Sequence, residues 1–281
     1  MSIEVKSITK YYGKTCALND VSVTFDDNKI YGLLGRNGAG KTSLLSIISN
    51  RIFAENGTVA IDGMPAQEND AAIGRLYAMG EKTYYPESMR IKDVFKWTKL
   101  FYPQFDETYA KSLADQFGLK LNKKVKSLST GFLTIFKLIV ALSVNTPYLL
   151  LDEPVLGLDA NNRDLFYRLL LEKYSNNPFT VIISTHLIEE VANLIEDVVI
   201  IKEGRIICSQ AREKLLSDSY SVSGKIVDVD VYTAGKELLG CEVMAGFKTA
   251  YIMGQADYDN ADGLEIAKVD LQKLFIQLTN I

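Results

Sequence analysis

One stretch of eight residues has the composition of a phosphate-binding loop. The segment GRNGAGKT, at 35–42, matches the pattern GxxxxGK[ST], follows an apolar strand pattern and opens a helical one. Glycines let such a loop curl so that backbone N–H groups point at phosphate oxygens, and the following helix adds the positive end of its dipole. We expect Lys41 to reach the β- and γ-phosphates and the Thr42 hydroxyl to bind Mg²⁺. The residues expected to hold the nucleotide are Gly35, Asn37, Gly38, Ala39, Gly40, Lys41 and Thr42.

Two adjacent carboxylates end a second apolar stretch. In YLLLDEP, at 148–154, four apolar residues predict a buried strand whose end presents Asp152 and Glu153. Asp152 fits the acidic residue that holds Mg²⁺ beside a phosphate-binding loop. Glu153 is then placed to orient and deprotonate a water for in-line attack on the γ-phosphate, work that contributes roughly 10²–10⁴ in rate. A solvated or helix-capping acidic pair is the alternative, and the loop at 35–42 makes it the weaker one.

The chain contains a single histidine, His186 in the segment VIISTHLIEE (181–190). The residues before it predict a buried strand, and the apolar residues after it have helical spacing. His186 is therefore expected where a strand ends and a helix begins, which is where parallel α/β folds place ligand contacts. A lone histidine is more often a packed or surface residue, so this position alone assigns no role to it.

Strand and helix patterns alternate along the chain, which predicts a mainly parallel sheet with helices on its faces. A continuous helical pattern over about 88–145 predicts an inserted helical subdomain. The composition shifts after residue 218, and we predict a small α+β appendage over 219–281. In it, GKIVDVDVYT (224–233) alternates like a half-exposed strand, and DLQKLFIQLT (270–279) has one apolar helical face. The predicted fold class is α/β, with a P-loop domain over 1–218.

Composition excludes several functional classes. A net charge of −4 argues against binding to a nucleic-acid backbone as the main activity. The three cysteines are scattered and form no CxxC pair, so they indicate neither a disulfide framework nor a zinc site. This cysteine usage is typical of a protein in a reducing compartment. The N-terminus lacks the apolar core of a signal peptide. The most apolar segment (132–144) is too short to cross a bilayer and contains Lys137, so we expect that a partner would hold the chain at any membrane.

Four further short segments surround these motifs: KYYG (10–13), LSTGF (128–132), GLD (157–159) and STH (184–186). With them the chain resembles the ATP-binding cassette (ABC) ATPases over roughly residues 2–215, with every motif in the family's order. LSTGF is similar to the family's signature LSGGQ, and the 24 residues from Leu128 to Asp152 match the family's spacing. Signatures of the LSTG type resemble those of bacterial exporter ATPases for antibiotic resistance and lantibiotic immunity.

The resemblance implies roles for five further residues. Tyr12 would stack on adenine, and His186 would sense the γ-phosphate. The hydroxyl of Ser129, with Gly131, would reach the γ-phosphate of the nucleotide on a second subunit. Asp159 belongs to the segment that resembles the D-loop and is included among the nucleotide-site residues. The implied cofactors are ATP and Mg²⁺.

The chain departs from the family pattern at two places. Thr130 and Phe132 replace a glycine and a glutamine of the signature, which removes one polar contact. The segment YAMGEKTYYPE (77–87), where the family has its Q-loop, contains no glutamine. Glu81 is the best positional substitute, and Gly80 fits about as well by distance to the following proline. A carboxylate at Glu81 would add negative charge beside Mg²⁺, which leaves open whether it is a metal ligand or a transmission residue.

By resemblance, the expected function is ATP hydrolysis that drives export through a separate transmembrane permease. Two ATPase subunits, identical or different, would meet head to tail, on the cytoplasmic side and peripheral to the inner face of the membrane, and no nucleic-acid partner is expected. The alternative is a soluble ABC ATPase that remodels a non-membrane partner. Such proteins usually carry two cassettes or a long coiled-coil insertion, and this chain has one cassette and no heptads.

An aromatic group in the helical segment has two interpretations. Trp97, with Phe95 and Phe101, is interpreted as packing within the helical subdomain. The other interpretation is a groove for a helix of a partner, because the coupling grooves of the resembling family lie in that subdomain.

Overall fold

A computed structural model describes residues 1–258, 261 and 263–280 of the chain, so part of the predicted 219–281 appendage lies outside the described residues. The strands are β1 (Ser2–Tyr12), β2 (Thr15–Asp26), β3 (Ile30–Leu34), β4 (Asn56–Ile61), β5 (Met64–Pro65), β6 (Leu76–Met79), β7 (Tyr148–Asp152), β8 (Thr180–Thr185), β9 (Asp197–Lys202), β10 (Arg205–Ala211), β11 (Ser219–Lys225), β12 (Glu237–Met244), β13 (Phe247–Met253) and β14 (Glu265–Lys268). The helices are α1 (Lys41–Ile48), α2 (Asp70–Ile73), α3 (Ile91–Phe101), α4 (Glu107–Gln116), α5 (Thr130–Ser143), α6 (Ala160–Asn176), α7 (Ile188–Val191), α8 (Arg212–Ser217), α9 (Ile226–Thr233) and α10 (Leu271–Asn280).

The central element is a six-stranded sheet in the order β10-β9-β3-β8-β7-β6. Its strands β9, β3, β8, β7 and β6 are parallel, and β10 pairs antiparallel with β9 at one edge. Every residue of β3 and β8 is buried, as expected for strands that are covered on both faces. Because the carboxyl ends of parallel strands share one edge, the loops after β3, β6, β7 and β8 meet there. The predicted α/β fold class is correct.

A second, antiparallel sheet with the order β2-β1-β4-β5 covers one side of the central sheet. Its apolar side chains, such as Ile3 and Phe25, belong to the same buried cluster as Leu44 of α1 and Leu150 of β7. Helix α1 is thereby held between the two sheets. This packing fixes the start of α1 immediately after the loop that follows β3.

Helices α3, α4 and α5 fall within the segment 88–145, for which the sequence predicts a helical subdomain. Their buried side chains, including Phe95, Leu113 and Phe136, join the second large apolar cluster of the chain. The same cluster contains Leu149 and Leu151 of β7. The helices are therefore packed against the central sheet through a continuous core.

The prediction of a strand over 224–233 is wrong, because Ile226–Thr233 forms helix α9. The helix buries Val229 and Tyr232 against β11 and β13, at a spacing of three residues that only a helix places on one face. Val227 and Val231, which produced the alternating pattern, are 72% and 73% exposed. Tertiary packing overrides the weak strand preference of the β-branched residues.

The C-terminal sheet has the order β12-β13-β11-β14 and is covered by α9 on one face. Helix α10 packs Leu271, Leu274 and Phe275 into the large cluster that also holds Ile188 and Val191 of α7. The C-terminal elements therefore share a core with the helix that follows His186. None of the helices in the described residues combines the length and apolar character that a bilayer crossing requires.

Candidate functional site

The loop between β3 and α1 has a backbone that requires glycine at two positions. Gly38 and Gly40 have φ values of +80° and +112°. A Cβ atom on Gly40 would lie 2.6 Å from the carbonyl oxygen of Ala17. Gly40 caps α1, whose first N–H groups have no partner within the helix. The curled backbone of the loop and the N-terminus of α1 together form a cradle that suits an anion such as phosphate.

Lys41 places an ammonium group inside this loop. Its side chain is only 7% exposed, and Nζ donates to the carbonyl oxygen of Gly35 at 2.7 Å. Burial lowers the pKa of Lys41, and the carboxylates of Glu153 and Asp152 oppose that shift. The distance from Nζ to Glu153 Oε1 is 3.9 Å. The ammonium therefore bonds mainly to backbone carbonyls, which a phosphate oxygen can replace.

Asp152 and Glu153 stand at the carboxyl end of β7, next to β8. Ser184 Oγ donates to Asp152 Oδ1 at 2.8 Å and fixes this carboxylate. Glu153 has a left-handed backbone with φ of +47°, and its N–H donates to the Ser184 carbonyl oxygen at 2.8 Å. Such a backbone costs a non-glycine residue on the order of 1 kcal/mol and persists where neighbours hold it in place. Here the Asp152 carboxylate contacts Ser184, whereas the Glu153 carboxylate contacts Thr185, His186 and Lys41.

His186 lies against Glu153 and is not packed in the core. Its Nδ1 is 2.9 Å from Glu153 Oε1, and Thr185 Oγ1 donates to Glu153 Oε2 at 3.2 Å. Thr185 Oγ1 also accepts from the Leu187 N–H at 3.0 Å, which holds the turn after β8. The three residues predicted as catalytic, Lys41, Glu153 and His186, thus come together at one edge of the sheet.

Thr42, Asp152 and Glu81 line one cavity of about 230 Å³, called here the metal-side cavity. Their hydroxyl and carboxylate oxygens are the ligand types that Mg²⁺ prefers. Across the described residues, no cluster of three or more His, Cys, Asp and Glu side chains is placed to hold a metal ion by itself. Mg²⁺ commonly keeps several waters and takes one or two carboxylates together with substrate phosphates.

Tyr12 is an exposed ring at the end of β1, beside the start of α1. Ser43 Oγ donates to the Tyr12 hydroxyl at 3.4 Å, and Lys10 Nζ lies 5.7 Å from the ring centroid. An exposed aromatic ring beside the helix that follows the loop offers a face on which a base can stack. The structure therefore places Tyr12 with the loop residues.

Ser129, Gly131 and Asp159 form a separate group. Ser129 caps α5 and Asp159 caps α6, where Oδ1 accepts from the Asn162 N–H at 2.9 Å. A Cβ atom on Gly131 would lie 3.2 Å from the carbonyl oxygen of Gly157, so the two segments touch. In the described part of the chain, no hydrogen bond or ion pair joins this group to the loop at 35–42. The predicted nucleotide-binding residues therefore form two groups that no such contact joins in the described residues.

Comparison with known proteins identifies the family. The family model described as ABC transporter matches residues 18–156. An uncharacterised ABC transporter ATP-binding protein of Methanocaldococcus jannaschii is 30% identical over 239 residues, which cover 82% of this chain and 86% of that protein. The chain belongs to the ABC transporter ATP-binding family. The predicted resemblance is confirmed, and the chain is an ATP-binding subunit and an ATPase.

Other relatives have related descriptions, and solved structures share the fold of this chain. The ABC transporter ATP-binding protein YtrB of Bacillus subtilis is 30% identical to this cassette over 68% of this chain and 66% of its own length. The lantibiotic transport ATP-binding protein SrtF of Streptococcus pyogenes is 28% identical over 73% of this chain and 89% of its own length. A solved ATP-binding subunit of an ABC transporter superposes with a TM-score of 0.69 at 21% identity, covering 76% of this cassette and 92% of that chain. A dimeric cassette bound to ADP and Pi superposes with a TM-score of 0.66 at 20% identity, covering 75% of this chain and 98% of that chain.

Three residues to which the sequence assigned no role complete the site of this cassette. Ser184 and Thr185 hold the two carboxylates, and their place directly before His186 was the available signal. Lys137 of α5 donates to the carbonyl oxygens of Gly80 and Glu81, each at 2.9 Å. A charged residue inside the most apolar helix was its only sign in the sequence.

The packing interpretation of the aromatic group holds for Phe95 and is wrong for its two neighbours. Phe95 is fully buried, whereas Trp97 and Phe101 are 51% and 72% exposed. Both line a cavity of about 550 Å³, called here the aromatic groove, with Tyr84 and Tyr85. The cause is the position of the rings on α3, since the core-facing side of this helix is already filled by Ile91, Val94, Phe95 and Thr98.

Proposed function

We propose that this cassette hydrolyses ATP with Mg²⁺ to power export through a separate transmembrane permease. The observation that carries the proposal is the convergence of Lys41, Glu153 and His186 beside a glycine loop at the sheet edge. A buried ammonium bonded to loop carbonyls, next to a carboxylate and an imidazole, suits the binding and hydrolysis of a phosphate group.

The proposed roles follow from the positions of the side chains. The loop N–H groups and Lys41 bind the phosphates, and Thr42 and Asp152 would hold Mg²⁺, with Glu81 as a candidate third group. When bound, the ion neutralises charge on the phosphates. Glu153 orients the attacking water and takes its proton on the carboxylate. Because His186 Nδ1 contacts Glu153, the other ring nitrogen, Nε2, would be the one that reaches the γ-phosphate.

A second ATPase subunit would complete the site. In the described residues, no hydrogen bond or ion pair joins Ser129, Gly131 or Asp159 to the loop of their own chain, although a serine hydroxyl and a glycine N–H suit a γ-phosphate. In a head-to-tail dimer they would face the nucleotide held by the other subunit. ATP would then stabilise the dimer by binding between the subunits, and hydrolysis would release it. The dimer can pair two copies of this chain or this chain with a related one.

The aromatic groove is the proposed contact with the permease, on the cytoplasmic face of the membrane. Trp97, Phe101 and Tyr84 expose large rings there, and exposed aromatic rings that line a groove suit a contact with another protein. A groove of about 550 Å³ suits the apolar face of a partner helix. The exporter direction is supported by the segment LSTGF, which resembles the signatures of bacterial exporter ATPases, and one relative is a lantibiotic transport protein.

The proposal is tested by co-expressing the chain with the membrane protein encoded beside it. We expect the wild-type chain in the membrane fraction, and Trp97→Ala to reduce its recovery there while ATP binding is retained. Leu100→Ala is the matched control, since Leu100 is an exposed apolar residue of the same helix that does not line the groove. Cells that carry the pair should also survive a higher lantibiotic concentration, and Glu153→Gln should remove that protection.

Two results would contradict the proposal. A chain that remains outside the membrane fraction beside its co-encoded membrane protein, and whose ATPase is stimulated by a non-membrane protein, would favour the remodelling alternative. Equal membrane recovery for Trp97→Ala and Leu100→Ala would show that the aromatic groove is not the contact.

A further inference from the structure

Lys137 is the only charged residue of α5, the helix that begins at Thr130 directly after the signature serine. It is half-buried, and Nζ donates to the carbonyl oxygens of Gly80 and Glu81, each at 2.9 Å. Burial lowers the pKa of Lys137, and the carboxylate of Glu81 opposes this shift. A partly buried ammonium needs hydrogen-bond acceptors, and here two consecutive carbonyls provide them. The lysine thereby fixes the peptide unit that carries Glu81.

The segment that Lys137 holds is the wall between two cavities. Glu81 lines the metal-side cavity with Thr42 and Asp152. Gly80 and Tyr84 line both that cavity and the aromatic groove. Lys137 itself lines the aromatic groove and reaches the wall from that side. A group that occupies the groove therefore meets Lys137, which is bonded to the residue on the opposite side of the wall.

We propose that Lys137 is a positioning residue that links occupation of the aromatic groove to the place of Glu81 in the metal-side cavity. The inference rests on the proposed function of that site. A carboxylate or carbonyl of a partner segment in the groove would compete with Gly80 and Glu81 for the ammonium. The peptide at residue 81 would then be released, and the carboxylate would leave the cavity. A movement of α5 would shift Gly80 and Glu81 through the same two hydrogen bonds.

A direct measurement of metal binding tests this link without relying on turnover. The probe is Mn²⁺, titrated by electron paramagnetic resonance into the full chain with a non-hydrolysable ATP analogue. Lys137→Met keeps the length of the side chain and removes its donors. We expect the half-saturating Mn²⁺ concentration to rise roughly fivefold, as expected for the loss of a partly solvated charged hydrogen bond. Lys99→Met, an exposed lysine of α3, is the control and should match the wild type.

The Glu81→Ala background separates positioning from a general loss of structure. If Lys137 acts by placing Glu81, Lys137→Met has no further effect on Mn²⁺ binding once Glu81 is alanine. Should Lys137→Met fail to fold, Lys137→Gln replaces it, since its amide can donate to one carbonyl, and a rise of about twofold is expected.

Wild-type Mn²⁺ affinity in the folded Lys137 variant, or an equal loss in the Glu81→Ala background, would overturn the inference. Neither result would affect the proposed function. That proposal would fail instead if the wild-type chain did not bind the ATP analogue at all.

Discussion

Replacing Glu153 by glutamine separates hydrolysis from ATP binding. The amide keeps the shape of the side chain but cannot take the proton of the attacking water. We expect kcat to fall by roughly 10²–10⁴, which corresponds to about 2.7–5.5 kcal/mol in the barrier. The left-handed backbone at residue 153 is unchanged, and one amide oxygen can still accept from Thr185 or contact His186. The free energy of unfolding should therefore change by less than about 1 kcal/mol.

The same substitution should make ATP bind more tightly. Glu153 Oε1 lies 3.9 Å from Lys41 Nζ, a separation at which two unit charges attract by about 4 kcal/mol at an effective dielectric constant near 20. Glu153 remains partly exposed, so solvent screening reduces this attraction to about 0.5–1 kcal/mol. Removing the negative charge frees Lys41 for phosphate and removes repulsion of the γ-phosphate. ATP affinity should rise about two- to fivefold.

Phosphate release measures kcat, and calorimetric titration with ATP and Mg²⁺ measures affinity. Gel filtration in saturating ATP and Mg²⁺ should show a dimer of the Glu153→Gln chain, and in ADP a monomer. Asp164→Asn serves as the control, since it removes an acidic charge from α6 away from the loop. A variant that retains kcat within threefold of the wild type would refute the assignment of Glu153 as the base. A monomer in ATP would refute the dimer.

Two further substitutions test the remaining parts of the site. His186→Ala should lower kcat at least tenfold, about 1.4 kcal/mol, without changing ADP affinity in a calorimetric titration; equal losses of ATP and ADP affinity would indicate a structural histidine. Gly40→Ala should abolish ATP binding and lower the free energy of unfolding by at least about 2 kcal/mol, because its Cβ would lie 2.6 Å from the Ala17 carbonyl oxygen. Gly63→Ala is its control in chemical denaturation, since a Cβ there meets open space; identical ATP binding by both variants would contradict the argument.

The sequence alone was sufficient for the motifs whose chemistry is local. The glycines and Lys41 of 35–42 act within one loop, and the order of the signature, the carboxylate pair and His186 is a linear property. Helices with a clear apolar face, such as α10, were also predictable. The α/β class followed from the alternation of buried strands with helical patterns, because parallel strands need long connections.

Tertiary structure decided which distant residues meet. Residues 42, 81 and 152 share a cavity only because β6, β7 and the loop before α1 end at the same edge of the sheet. Lys137 and the carbonyl of Glu81 are 56 positions apart, and no spacing rule connects them. The exposed face of α3 at Trp97 depended on how the other face was filled.

Helix α9 shows the same limit at the level of secondary structure. Its valine and aspartate alternation is typical of a strand, and the burial of Val229 and Tyr232 against β11 and β13 makes it a helix. The free-energy difference between the strand and helix preferences of a residue is smaller than the free energy gained when its apolar side chain is buried in the core. The residue types and spacing of the motifs indicate their chemistry from the sequence alone. Which distant residues contact them depends on how the elements pack in the folded chain.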